Sequence, residues 1–132
     1  MREKPIGAEG VVRRVVTEEL SADRWGNPGV HVLSTPALAM LFEQAAIESM
    51  KNVLEEGELS VGAELRVRHL AATPVGMEVT VSARLVATRD RFLEFEVTAL
   101  DPAGPIGEGS HVRAVLDREQ FELGVERKRT RG

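Results

Sequence analysis

The chain contains no cysteine and no tyrosine, and aromatic residues make up only 4% of its 132 positions. Without cysteine there is no disulfide, no thiolate nucleophile and no cysteine-ligated zinc site, and a cytoplasmic location fits. So few aromatics leave little to stack on exposed bases. The formal charge of -4 and the scatter of basic residues, apart from Arg127, Lys128, Arg129 and Arg131 near the end, give no electrostatic footprint for nucleic acid. No apolar run approaches the length of a membrane span, and the N-terminus lacks the basic, apolar, small-residue order of a signal peptide. These absences predict a soluble protein with no nucleic-acid or membrane partner. A 42% hydrophobic content over this length is one domain's worth of core, so residues 1–132 read as a single domain with a solvated basic tail.

What the chain does have is one long apolar helical stretch, STPALAMLFEQAAIESMKNVL, which predicts a helix over residues 36–54. Thr35 is a suitable N-cap and Pro36 suits the first helical position. At about 100° per residue, Leu38, Leu41, Phe42, Ala45, Ala46, Ser49 and Val53 share one side, and Ala39, Ile47, Met50 and Leu54 extend the apolar arc. An arc this wide suits a helix wrapped by a sheet. Glu43 interrupts it. A carboxylate placed among Ala39, Ile47, Met50 and Leu54 is costly to bury unless paired or protonated. It is either an edge glutamate whose methylenes pack while its carboxylate reaches water or a partner, or a group that does chemistry.

The remainder reads as strands. GVVRRVVTE predicts one over 10–18, and the turn formers Asp23, Gly26, Asn27, Pro28 and Gly29, with the sole tryptophan Trp25, make a loop leading to the helix. Alternation then predicts strands over 64–70, 77–88, 92–100 and 106–117, the middle two joined by a short hairpin at Arg89, Asp90 and Arg91. In ELRVRHL, Leu65, Val67 and His69 share a face, so His69 occupies an apolar position as Glu43 does. On its own such a histidine is more often a satisfied core residue than a catalyst. An antiparallel meander curled around one helix is an α+β hot dog arrangement, and a lone sheet leaves an edge to protect. The strand at 64–70 is the expected edge for pairing across a two-fold axis.

The run HLAATPVGMEVTVSARL, the later IGEGSHVRAVLD, and the S-T-P followed by a helical glutamate together resemble the fluoroacetyl-CoA thioesterase-like family of hot dog enzymes. The resemblance extends over nearly all of the chain after residue 10, and its most specific part is H-x-A-A-T-P-x-G with the spacing from Thr35 to Glu43 to His69. It implies hydrolysis of an acyl-CoA without metal or cofactor, in a homodimer or dimer of dimers with sites at the subunit interface. The family's threonine, glutamate and histidine fall on Thr35, Glu43 and His69, and its substrate-contacting glycine and arginine on Gly62 and Arg113. One departure concerns substrate. Fluoroacetyl-selective members carry phenylalanines that gate the pocket ahead of the threonine, whereas this chain has none before Phe42, with Trp25 the only aromatic there.

The residues fit thioester chemistry, which needs a nucleophile, a proton shuttle and a place for the oxyanion. Backbone N–H groups at the start of the helix, past Pro36, can polarise a carbonyl. His69 suits the shuttle, with Glu43 to orient it. Thr35 either attacks, or positions substrate or water while Glu43 acts as base or nucleophile. Each has a plainer reading: an N-cap threonine, a turn glycine at 62, a surface-facing strand arginine at 113. The alternative functions are a non-catalytic acyl-CoA or acyl-ligand binding module, and a hot dog hydratase or dehydratase.

Overall fold

The computed structural model describes residues 1–3 and 5–131. Its strands are β1 (Glu9–Val15), β2 (Glu58–His69), β3 (Glu78–Arg89), β4 (Phe92–Asp101) and β5 (Gly104–Asp117), with helices α1 (Thr35–Ser49) and α2 (Arg118–Arg131). The strands form one antiparallel sheet in the order β1-β3-β4-β5-β2. This is the α+β hot dog arrangement that the sequence predicts, and β2 is indeed an edge strand.

The core sits between α1 and the sheet because both present continuous apolar faces there. Ala37, Leu38, Leu41, Phe42, Ala45 and Ala46 of α1 are buried against Val79, Val81, Ala83 and Leu85 of β3 and Leu93, Phe95, Val97 and Ala99 of β4. The period of two along β3 and β4 is what turns one row inward and leaves Arg84 and Glu96 to pair outside at 2.6 Å. Burying a side chain such as Phe42, 0% exposed, contributes about 1.5–3 kcal/mol. Where β1 crosses α1 the two backbones nearly touch: a Cβ on Gly10 would overlap the Ala45 carbonyl and the Ser49 amide.

Three boundaries differ from expectation by several residues, and the tail differs in kind, for local reasons. The α1 helix stops at Ser49, not residue 54, because the chain tightens into i to i-3 bonds at Met50 and Lys51 and then passes through Asn52 at φ 68°. Strand β1 ends at Val15, and short 3-10 turns at Glu18–Leu20 and Ala22–Trp25 follow. Strand β2 begins at Glu58, well before residue 64, its first half hidden in the sequence by a bulge between Gly62 and Glu64 that breaks the alternation. The basic tail is a helix, α2, with no buried side chain and no apolar period to announce it. Asp117 Oδ2 accepts the Gln120 N–H at 2.9 Å, Glu119 lies in the first turn, and Lys128, Arg129 and Arg131 in the last, as the helix dipole favours.

Candidate active site

Two clusters of polar groups lie along the inner face of β2. The first is at the N-terminus of α1. Ser34, not Thr35, is the N-cap: its Oγ accepts the Ala37 N–H at 3.2 Å, and its carbonyl accepts the Leu38 N–H at 3.0 Å. The helix therefore begins one residue earlier than expected, and the first N–H groups past Pro36 are already bonded. The cap by Ser34 releases the Thr35 hydroxyl, which lies 2.8 Å from His69 Nδ1.

His69 ends β2, and its ring is partly enclosed. Burial lowers its pKa below 6.5, partly offset by the Ala71 backbone. Its other nitrogen, Nε2, is buried with no hydrogen-bond partner among the described residues. Thr35, His69, Leu70, Ala71 and Ala72 line a shallow cleft here. The A-A-T-P turn is what holds it in place. Thr73 is fully buried, its hydroxyl donating to Asp101 Oδ2 at 2.8 Å and its carbonyl accepting the Leu33 N–H at 2.8 Å. Pro74 pairs with Val32, and the Val75 N–H bonds the His31 carbonyl. The segment after His69 is thus tied to the segment before Thr35, which is why the motif needs a threonine and a turn there. Trp25 is not among the lining residues; it is 55% exposed and its Nε1–H bonds the Glu19 carbonyl at 3.2 Å.

The second cluster lies roughly 12 Å further along α1, at about 1.5 Å rise per residue. Here Arg113 Nη1 donates to Glu43 Oε2 at 3.3 Å, while Nε and Nη2 donate to Ser60 Oγ and Ser60 O, each at 3.1 Å. The Arg113 side chain is 5% exposed and that of Glu43 42%. Burial lowers the Arg113 pKa and Glu43 acts against that shift, so the arginine stays charged. A Cβ on Gly62 would stand 3.0 Å from Glu43 Oε2, so the glycine makes room for the carboxylate. Glu43, Gly62, Ala63, Glu64, Leu65 and His111 line a cleft of about 270 Å³. The plainer readings of these two residues do not hold: Gly62 lies within a strand and Arg113 is buried.

The bulge at Ala63 makes both clusters face inward. Before it, Ser60 and Gly62 pair with Val115 and Arg113; after it, Leu65, Val67 and His69 pair with His111, Gly109 and Gly107. Directly paired residues share a face, so the extra residue brings even positions before it and odd positions after it to the same side. Within one chain Thr35 meets His69, and Glu43 meets Gly62 and Arg113; no hydrogen bond or ion pair joins Glu43 to His69 among the described residues. Sequence reasoning missed Ser34, Ser60 and His111. For His111 the signal was present, since it shares a strand face with Arg113.

A further group, Glu18, Asp23 and His31, brings one ligand atom each within 4.8 Å, outside both clusters. Its members are already engaged, Glu18 Oε2 with His31 Nδ1 at 3.0 Å and Asp23 Oδ1 with the Gly29 N–H at 2.7 Å. No helix among the described residues is long and apolar enough to cross a membrane.

Comparison with known proteins converges on one family. The sequence profile of the fluoroacetyl-CoA-specific thioesterase family matches residues 16–119. The fluoroacetyl-CoA thioesterase of Streptantibioticus cattleyicolor is 41% identical over 101 residues, 76% of this chain and 73% of that protein. A crystal structure of a Thermus thermophilus thioesterase superfamily member superposes with a TM-score of 0.93 at 32% identity, covering 99% of this chain and 97% of the other. A fluoroacetyl-CoA thioesterase structure superposes at 0.87 with 33% identity, covering 96% and 98%. The chain therefore belongs to the fluoroacetyl-CoA-specific thioesterase family.

Proposed function

We propose that this acyl-CoA thioesterase hydrolyses its substrate at sites shared between two subunits, Thr35 and His69 coming from one and Glu43 with Arg113 from the other. The observation that carries this reading is the Thr35 hydroxyl 2.8 Å from His69 Nδ1, while Glu43 of the same chain is bonded to Arg113 and makes no hydrogen bond or ion pair to that ring among the described residues. If the Thr35 hydroxyl donates to Nδ1, the neutral ring carries its proton on the enclosed Nε2. Glu43, on α1, holds a part-exposed carboxylate, and among the described residues β2 is an edge strand open to a two-fold contact.

In this arrangement His69 takes the Thr35 proton at Nδ1 as Oγ1 attacks the thioester carbonyl. The partner's Glu43 carboxylate stabilises the resulting imidazolium by its charge. The N–H of Thr35, at the first helical position and without an intrahelical acceptor, faces the developing oxyanion. Collapse breaks the C–S bond, His69 returns the proton to the leaving CoA sulfur, and water then hydrolyses the acyl-threonine by the same path. Arg113 and Gly62 shape the floor on which the glutamate and the substrate rest. Nothing in these steps calls for a metal or cofactor.

Relatives have been crystallised with acetyl-CoA and with fluoroacetate and CoA, which favours a short acyl chain here too. No phenylalanine precedes Phe42 and Trp25 lies outside the cleft, so fluoroacetyl-CoA has no special preference over acetyl-CoA in this reading.

Mixing variants tests the shared site. His69→Ala and Glu43→Gln proteins, each impaired alone and then unfolded and refolded together, recover about a quarter of the wild-type rate, because half the dimers are hybrids with one intact site of two. No recovery, or a monomer by light scattering at micromolar concentration, refutes the sharing. A panel of acyl-CoAs with a thiol reagent tests the reaction. CoA release is expected; tight binding without release would favour a binding module, and reversible loss of enoyl absorbance a hydratase.

A further inference from the structure

His111 is the largest buried polar ring in the protein that the reaction does not use. It is 1% exposed, on β5 two residues from Arg113, with the Phe95 ring stacked at 6.3 Å between centroids. Its Nδ1 lies 2.8 Å from the Glu64 carbonyl, just past the β2 bulge, and its Nε2 lies 3.2 Å from Arg113 Nη1. A carbonyl can only accept and a guanidinium can only donate. Both contacts are therefore satisfied by one form alone, the neutral ring with its proton on Nδ1. Burial lowers the His111 pKa, as does the nearby Arg113 charge, against the Glu64 carbonyl and Glu43, which act the other way. The neutral form is thus the one present at neutral pH.

We infer that His111 is a positioning residue for thioester hydrolysis: its Nε2 lone pair holds Arg113 Nη1 so that the guanidinium addresses Glu43, and its Nδ1–H fixes the bulge that seats Gly62 beneath the carboxylate. This inference rests on the proposed roles of Glu43 and Arg113. The geometry distinguishes it from simple core filling. Arg113 is held from one side by Ser60, through Nε and Nη2, and among the described residues His111 and Glu43 alone hold Nη1. Without the imidazole the Nη1 end has Glu43 alone, and the carboxylate follows the arginine's motion. His111 also ties two elements, since one of its bonds goes to β2 and the other stays within β5.

Three variants separate its two bonds. His111→Gln places an amide oxygen near the Nε2 position and keeps an acceptor for Arg113. His111→Asn keeps a donor for the Glu64 carbonyl but reaches too short for Arg113. His111→Phe keeps the ring against Phe95 and loses both bonds. The expected result is a loss of kcat/KM by about tenfold in His111→Asn and His111→Phe, with most of the activity retained in His111→Gln. In an Arg113→Ala background the same Asn and Phe changes lower kcat/KM by no more than about twofold, because the residue acts through the arginine. Thermal unfolding monitors the fold, and if His111→Phe does not fold, the Asn and Gln pair decides. Equal losses in both backgrounds, or a glutamine variant as poor as asparagine, would overturn the inference alone. Undiminished kcat/KM in Arg113→Ala would remove the arginine's proposed role, and the inference with it.

Discussion

Around Thr35 and His69 the polar bonds are few. One hydroxyl meets one ring nitrogen at 2.8 Å, Thr35 is exposed, and the other ring nitrogen has no hydrogen-bond partner among the described residues. Around Glu43 and Arg113 the bonds are many: the arginine alone makes four, to Ser60 twice, Glu43 and His111, and it is buried. The first region is held from behind, by Thr73 and Pro74, and leaves the Thr35 side chain open. The second is held from within, by an ion pair and a histidine, and exposes only part of one carboxylate. Groups that must exchange protons have to be left loosely satisfied, whereas groups that set a charge and a shape are best fully satisfied.

That contrast predicts that the open region is the more sensitive in rate. His69→Ala should give the largest effect, lowering kcat by on the order of 10²-fold or more with little change in thermal stability, measured by steady-state kinetics and calorimetry. A His69→Ala protein with undiminished hydrolysis would sink the mechanism. Glu43→Gln keeps the shape but removes the charge, and a smaller fall in kcat, on the order of 10-fold or more, is expected with the fold and assembly intact. Gly62→Ala should impair catalysis by crowding the Glu43 carboxylate, whose Oε2 would stand 3.0 Å from the new Cβ. Unchanged kinetics there would show that the carboxylate moves freely.

Acidification sharpens the comparison further. Both His69 and His111 have pKa values lowered from 6.5, first of all by burial. The unfolded chain therefore binds more protons than the folded one below about pH 6.5, and stability present above that pH is lost as pH falls toward the lower folded values. Activity should fall over the same acid range, since His69 must be neutral to accept the threonine proton. In His111→Gln the stability loss on acidification should shrink while the acid limb of kcat/KM remains. The smallest effect belongs to the cap: Ser34→Ala should cost about 0.5–2 kcal/mol by denaturant titration. It should also lower the rate modestly, because Thr35 is then free to turn and bond the helix end in place of the serine.

The elements were legible where a single period runs unbroken. The alternation in β3 and β4 and the wide apolar arc of α1 follow from side-chain burial on one face, so the hot dog arrangement was readable from residues alone. The tail helix was not, because α2 has no buried side chain and so no apolar period marks it. Glu43 and His69 stood out in the sequence as polar residues at apolar positions, and the resemblance added Thr35, Gly62 and Arg113. What each of them touches was decided by contacts between distant segments. Ser34 rather than Thr35 caps the helix because the helix starts one residue early. Gly62 and His69 face the same way only because an extra residue at 63 rephases β2. His111 carries a visible parity with Arg113, but its role depends on the Glu64 carbonyl and the guanidinium arriving on opposite sides of one ring. Local chemistry determines which side chains point inward; only the packing of α1, β2 and β5 determines which of them meet, because hydrogen bonds form over about 3 Å while a sequence pattern resolves no more than a face.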